Sequence, residues 1–438
     1  MNGIPLLTDQ RKSLVFLFAI SLMVKLIFFI IGVTDNRVFD WGGGPPDLFA
    51  LGEVESFRDY GMAYLPTIKA FKSGYTPYVD FWYAYPPLFL YLLTAFSYLS
   101  PDFWGPALPI LMFDALSIIP VYLIGLKFLS EKKSFLVSLL LTLASFNLFY
   151  NDYLWLNPPL VTFFALLAAY FLLTKRYGLS ALAFGVSFGF KQTGLVLFPV
   201  SLILVYRKAG LKEALKFFAV YAVVAVTVSM PYLFTAPQYY LGCLSAFKFP
   251  FISMPEIGPE YYQRVQPPMV AGITEPPLTY PIRGNSPINS VFPIFVFTSQ
   301  GMEGNKLFTY FRNFMGAAVP NLNFALLSSF GLLLLKIFRS KDLSARNAVK
   351  YLLLSLILFH SFYQGGIYKY YYAMATPFLA LFMASKIRCG LFILFNFSTL
   401  LIPRFLSPWV LFPFLIYIIL KTYFARAIGL LRRKTFPE

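Results

Sequence analysis

The chain has 438 residues, of which 58% are apolar, 20% aromatic and only 13% charged, more apolar surface than soluble domains of ordinary size can hide. A net charge of +17 does not call for nucleic acid, because most of the excess falls between apolar runs, where bilayer orientation and anionic headgroups account for it. No zinc-ligand cluster, Walker loop or dinucleotide fingerprint is present, and a single histidine excludes a His-based metal centre.

The composition reads as an all-α multi-pass membrane protein. The first apolar run, 13–33, follows Arg11 and Lys12 like the charged region of a signal peptide. It is about 20 residues long with no small-residue cleavage site behind it, and so reads as a retained span. Further runs fall near 85–100, 107–126, 134–150, 158–174, 178–190, 194–206, 217–235, 323–338, 351–364, 372–385, 388–402 and 409–424. Lys25 and Asp114 are opposite charges within the first and second spans, and a structural ion pair is the reading that makes both tolerable. Cys243 and Cys389 fall on opposite sides of the membrane in the topology below, which argues against a disulfide.

Basic residues in short loops stay on the cytoplasmic side. If every run crossed, the loop "KFLSEKK" (127–133) would face outward. Taking the run 85–100 out of the bilayer core repairs the parity. About 12 spans remain, both termini are cytoplasmic, and most of the 36 basic residues lie inside while most of the 19 acidic ones lie outside. The stretch 86–100 then lies in the outer interface as a juxtamembrane helix, with Tyr91, Thr94 and Ser97 as its polar stripe. The polar chemistry collects outside, in a first loop 34–85, a short loop near 150–158 and a long segment 236–322. The five tryptophans fall on that side too, suited to an aromatic belt and to stacking on sugar rings.

The first outer loop contains "RDYGMAYLPTIKAFKSGYTPYVDFWYAYPPLFLYLL" (58–93). Its order is an aspartate, a segment with a tyrosine and a basic residue, a Gly-x-x-Pro-Tyr turn, then aromatic-Pro-Pro opening an apolar helix. This order resembles the GT-C superfamily of membrane glycosyltransferases that use polyprenyl-phosphate sugars, among them protein O-mannosyltransferases and aminoarabinose transferases. "LNPPLVTFFALLAAYFLL", "GVSFGFKQTGLVLFPV" and "YKYYYAMATPFLALF" continue the resemblance, which covers 1–235 well and the rest patchily. It implies a catalytic transmembrane module over 1–235, a long outer loop over 236–322 and C-terminal transmembrane helices over 323–438. The implied fold is a GT-C-like bundle with juxtamembrane helices in the first loop.

Moving a sugar from a lipid phosphate to a hydroxyl in one inverting displacement needs a base on the acceptor, cations on the departing phosphate, and a groove open to lipid. The resemblance assigns the base to Asp59, with Glu53 and Glu55 as competitors. Lys191 interrupts an apolar stretch at an outer hairpin, where an intramembrane charge is functional by default; in the family a lysine in the matching segment faces the donor phosphate. Lys369 sits at another outer helix mouth, with Tyr368 beside it as a phosphate-side partner. Tyr60, Tyr64, Trp82, Asp152 and Asn157 are candidates for contact with sugar or acceptor. Relatives place an aspartate where this chain has Asn157, so either Asp152 serves as the second acid or Asn157 binds a hydroxyl without charge. A monophosphate leaving group carries less charge than a diphosphate, so lysines can suffice, and neither a divalent metal nor another cofactor is expected.

The reading is therefore a hexosyltransferase, with mannose or glucose as the sugar, a polyprenyl- or dolichyl-phosphate donor, and a lipid-linked glycan, protein or lipid acceptor on the outer face of the cell membrane. A secondary transporter or lipid-linked-sugar flippase is the alternative from another class, set against it by the absence of matching broken helices in two halves. A noncatalytic subunit would leave Asp59 and Lys191 without a purpose.

Overall fold

A computed structural model describes residues 8–35, 59–81, 83, 85–100, 102–237, 240–241, 322–362, 369–384 and 396. These residues are mostly helical and contain no strand, only an isolated bridge between Pro77 and Phe81. Among the described residues, four helical stretches are long and apolar enough to cross a membrane: Asp9–Thr34, Gly105–Gly125, Glu131–Tyr153 and Leu211–Thr235. Pro87–Leu99, Pro158–Leu173 and Tyr177–Phe190 are shorter apolar helices.

Helix α1 (Thr8–Asp35) spans about 42 Å at 1.5 Å per residue. Its exposed face carries Val15, Phe16, Met23, Ile27 and Ile30, an apolar surface suited to acyl chains. A π-helical turn, Asp59–Tyr64, runs into α2 (Leu65–Lys72), and after a turn comes α3 (Pro87–Leu99). Helices α4 (Leu108–Leu116) and α5 (Ile118–Gly125) follow, then α6 (Glu131–Thr142), whose Ser130 caps the first turn by accepting from the Lys133 amide at 3.4 Å. Helical turns Ser145–Asn147 and Leu148–Tyr153 carry this span three residues past the expected end at 150. Next come α7 (Pro158–Leu173), α8 (Tyr177–Phe190), α9 (Phe198–Ala209) and α10 (Leu211–Thr235). Beyond the undescribed stretch 242–321 lie α11 (Leu322–Arg339), α12 (Ala345–Phe362) and α13 (Thr376–Ala384).

Proline opens several of these helices at the first or second position, as at Pro66, Pro87, Pro109, Pro158 and Pro199. Its missing N–H costs nothing there and its φ is already helical. The repeated aromatic- or Asn-Pro-Pro pattern is thus a start signal for apolar helices. α8 packs between α7 and α10, and α1 rests on α4 and α6. α12 is buried along nearly its whole middle turn sequence, from Tyr351 to Phe359.

Helix α3 differs from its expected setting. At 13 residues it is too short for a straight span, but Thr94 and Ser97 are buried and Tyr91 donates to the Tyr232 hydroxyl of α10 at 3.0 Å. The polar stripe faces the bundle, where Ser97 finds its acceptor in the Thr94 carbonyl at 2.7 Å. Close approach to α8 is allowed by Gly189, since a Cβ there would lie 2.5 Å from a Leu88 methyl.

The first-loop residues 36–58 with Glu53 and Glu55, Trp41, Trp82, Trp409, both cysteines and the expected spans at 388–402 (apart from 396) and 409–424 fall outside the described residues, as does nearly all of the long segment 236–322.

Candidate functional site

The site is built around a break in a helix. α8 stops at Lys191, whose backbone is extended (φ −161°, ψ 143°), a tight helical turn follows over Gln192–Leu197, and α9 resumes at Phe198. This leaves a lysine only 3% exposed among apolar helices, a position that needs strong partners. Lys191 Nζ donates to Asn157 Oδ1 at 2.9 Å. It also lies 3.6 Å from the centre of the Tyr371 ring and 5.2 Å from that of Tyr85, both within range of a cation–π attraction. Asn157 and these two rings are among the groups that hold the ammonium.

Each partner comes from a different part of the chain. Asn157 immediately precedes the Pro-Pro start of α7 and is 1% exposed. It follows Trp155, which has φ 55°, a left-handed conformation unusual for a bulky residue. Trp155 is held there by Tyr60 at 5.0 Å, Phe29 at 5.2 Å and Phe103 at 6.0 Å between ring centres. With its Oδ1 occupied by Lys191, Asn157 keeps an amide nitrogen that has no hydrogen-bond partner among the described residues. Such a buried donor calls for an explanation.

Tyr371 lies in the short helix Lys369–Met374. Asn147 Nδ2 donates to the Ala373 carbonyl at 3.4 Å and Thr193 Oγ1 to Met374 Sδ at 3.4 Å, tying that segment to the neighbourhood of Lys191. The segment beginning at Lys369 and the helix break at Lys191 therefore meet. The Lys369 side chain and Tyr368 lie outside the described residues.

Tyr85 is placed by the first-loop turn. Gly74 has φ 89° and Tyr78 φ 69°, so the Gly-x-x-Pro-Tyr sequence puts glycine where a left-handed residue is needed. The Tyr78 hydroxyl then donates to the Tyr85 carbonyl at 2.5 Å. Ring contacts continue from Tyr85 to Tyr64 at 6.1 Å, from Tyr64 to Tyr60 at 5.9 Å and from Tyr60 to Trp155. This chain of rings joins the π turn headed by Asp59 to the Lys191 break. The Asp59 side chain is outside the described residues. Tyr60 is fully buried, its hydroxyl donating to the Phe103 carbonyl at 2.7 Å. Burial pushes that phenol well above its ordinary range, which rules it out as a base near neutral pH.

Asp152 belongs to a second polar group. It is fully buried, with Oδ2 3.3 Å from Lys25 Nζ. Lys25 also pairs with Asp114 Oδ2, the ion pair that the sequence suggests, and Asn151 Nδ2 donates to Asp114 Oδ1 at 2.9 Å. Asp152 thus sits inside the bundle and not on an open outer loop, and Trp155, also fully buried, presents no face to a free sugar. Sequence reasoning missed Tyr85 as a partner of Lys191, although its place before Pro-Pro was a usable signal. It also missed Asn151, which carried none. Among the described residues no three His, Cys, Asp or Glu side chains gather as metal ligands.

A family model described as "ALG3 protein" matches residues 59–252, less than half of the chain. The match starts at Asp59 and takes in Tyr85, Asn157 and Lys191, and it supports a membrane glycosyltransferase of the GT-C type. No curated protein matches the chain.

Proposed function

We propose that the protein is a mannosyltransferase that moves mannose from a dolichyl- or polyprenyl-phosphate donor to a hydroxyl of a lipid-linked glycan. The match to the ALG3 family, whose members take mannose from a dolichol-linked donor, favours mannose over glucose and a glycan over a protein acceptor. The observation that carries the reading is the buried Lys191 ammonium at the helix break, beside an Asn157 amide that has no hydrogen-bond partner among the described residues. That combination suits an anionic, oxygen-rich group.

In this reading Asp59 takes the proton of the acceptor hydroxyl as its oxygen attacks the anomeric carbon. The bond from that carbon to the phosphate oxygen breaks, the configuration inverts, and the polyprenyl phosphate departs with the electron pair. Lys191, with Lys369 and Tyr368 from the facing segment, stabilises the charge growing on the phosphate, and Asn157 donates to a phosphate or sugar oxygen. Tyr60 and Tyr64 hold the Asp59 turn against the site, and Trp82 flanks the sugar. Asp152 supports the bundle through Lys25. The reaction takes place on the outer face of the bilayer, with both termini cytoplasmic.

The test is transfer by purified protein in nanodiscs. Radiolabelled mannose should pass from polyprenyl-phosphate mannose to a lipid-linked oligosaccharide, and not from GDP-mannose. Use of GDP-mannose directly, or donor movement across a vesicle membrane without transfer, would refute the proposal.

A further inference from the structure

Lys25, Asp114 and Asp152 place one positive charge against two carboxylates, all almost fully buried. A surplus negative charge in such surroundings is costly unless a proton or a cation neutralises it. Beside this group lies a small cavity of about 10 Å³, room for one particle the size of a water molecule. It is walled by α1, α4, α5, α6, α7 and α13 and by the turn that carries Asn147, and Lys25 and Asp114 form part of the wall.

The hydrogen bonds decide what this cavity prefers. Ser21 Oγ donates to the Ala115 carbonyl at 3.4 Å, Ser117 Oγ to Phe113 at 2.8 Å and Thr142 Oγ1 to Ser138 at 3.2 Å. Their protons are spent on the backbone, so these hydroxyls offer lone pairs. Asn147 donates its amide to the Ala373 carbonyl and is left with Oδ1 unpartnered, and Thr162 Oγ1 has no partner either. Both side chains are about 4% exposed and both line the cavity. The lining is rich in oxygen acceptors next to an excess of negative charge. A water molecule would use two of those acceptors and leave the charge to a proton, whereas a small hard cation answers both needs by itself.

We propose that this cavity is a binding site for one monovalent cation no larger than a water molecule, sodium being the probe of choice. The carboxylates of Asp114 and Asp152 supply the charge, and Asn147 Oδ1 and Thr162 Oγ1 supply ligand oxygens. Because Asn147 also holds the Ala373 carbonyl, the ion braces the segment that carries Tyr371. The proposal stands on the Lys25 group alone and does not depend on the transferase reading.

The test uses the full-length protein in detergent. With choline replacing sodium at constant ionic strength, the melting temperature should rise with sodium concentration, by about 2 °C per tenfold above the dissociation constant. Radiolabelled sodium should bind at one equivalent, and potassium should compete weakly. Thr162→Val keeps the shape and removes the oxygen, so the sodium dependence should vanish while the melting temperature in choline stays near that of the parent. Equal melting in sodium and choline together with no bound label would overturn the proposal and leave a site for water only. A sodium effect of full size in both Thr162→Val and Asn147→Leu would overturn it as well, by placing the ion elsewhere. Should either variant fail to fold, label binding to the unaltered protein still decides.

Discussion

Replacing Lys191 with methionine separates catalysis from stability, because the structure assigns the two effects different magnitudes. The substitution keeps the apolar stem and removes the ammonium. It loses the hydrogen bond to Asn157 Oδ1 at 2.9 Å, about 1.5 to 3 kcal/mol for a charged donor, and the contact with the Tyr371 ring at 3.6 Å, about 0.5 to 2 kcal/mol. Against this stands relief from burying an ammonium that is only 3% exposed, itself several kcal/mol. The terms nearly cancel, so folding stability should change by no more than about 2 kcal/mol in either direction. Catalysis has no such compensation. If the ammonium meets the departing phosphate, turnover should fall by about 100- to 1000-fold. The assay is the initial rate of mannosyl transfer from polyprenyl-phosphate mannose, paired with a melting curve of the same preparation. A variant that keeps more than a tenth of the parent rate would refute the role at the phosphate. One that melts far below the parent would recast Lys191 as a structural residue.

Other substitutions test the remaining parts of the argument. Asp59→Asn should lower turnover by about 100-fold or more with donor binding nearly intact, measured by single-turnover transfer and by retention of labelled donor; normal turnover with loss of activity in Glu55→Gln would move the base. Lys25→Met leaves Asp114 and Asp152 buried without their shared cation, so it should cost about 3 to 5 kcal/mol and show as a large fall in melting temperature, the opposite of Lys191→Met. Lys132 is exposed near the start of α6, so Lys132→Cys should react with a membrane-impermeant maleimide only after permeabilisation; labelling of intact cells would overturn the topology. Asp342 accepts from the Ser344 amide at 2.9 Å and from Asn347 Nδ2 at 2.6 Å, and the Ser344 amide holds its carboxyl below the ordinary range. Its stabilisation of the α12 start is present above the unfolded value of about 3.9 and lost as pH falls through the lower folded value, so amide exchange at 344–347 should speed up only in strong acid.

How much of this was legible in the sequence depended on whether a residue violated its surroundings. Lys191 stood out because a charge interrupted an apolar run, and Lys25 and Asp114 stood out for the same reason. Asn157 was legible only through the resemblance, as the position where relatives place an aspartate. Asp152 carried no such mark, because it follows Asn151 near the end of a span, where an acidic residue reads equally well as solvated. Its partner Lys25 is 127 positions away, and no local pattern encodes that distance. The stripe of Tyr91, Thr94 and Ser97 failed in a different way. A hydroxyl on an apolar helix can satisfy itself on the preceding turn's carbonyl, as Ser97 does, so its presence says nothing about whether that face meets water or protein. The direction was set by what packs there, namely α10 through Tyr232. Helix ends were equally hidden, since the π turn at Leu148–Tyr153 prolongs a span through polar residues that a hydropathy reading ends on.

The two buried lysines give the same signal in sequence and receive opposite treatment in the fold. Lys25 is met by two carboxylates, more charge than it can balance, and the surplus makes its surroundings attractive to a cation. Lys191 meets an amide oxygen and two ring faces, which stabilise an ammonium through dipoles and quadrupoles. A low-dielectric interior magnifies that difference. Around Lys25 the field recruits positive charge and braces helices against one another. Around Lys191 it favours an anion at the junction of three distant segments, which is where the proposed reading places the lipid phosphate as it loses its sugar. The neutral Asn157 is consistent with this division, because a carboxylate at that position would pair with Lys191 and compete with the phosphate for it.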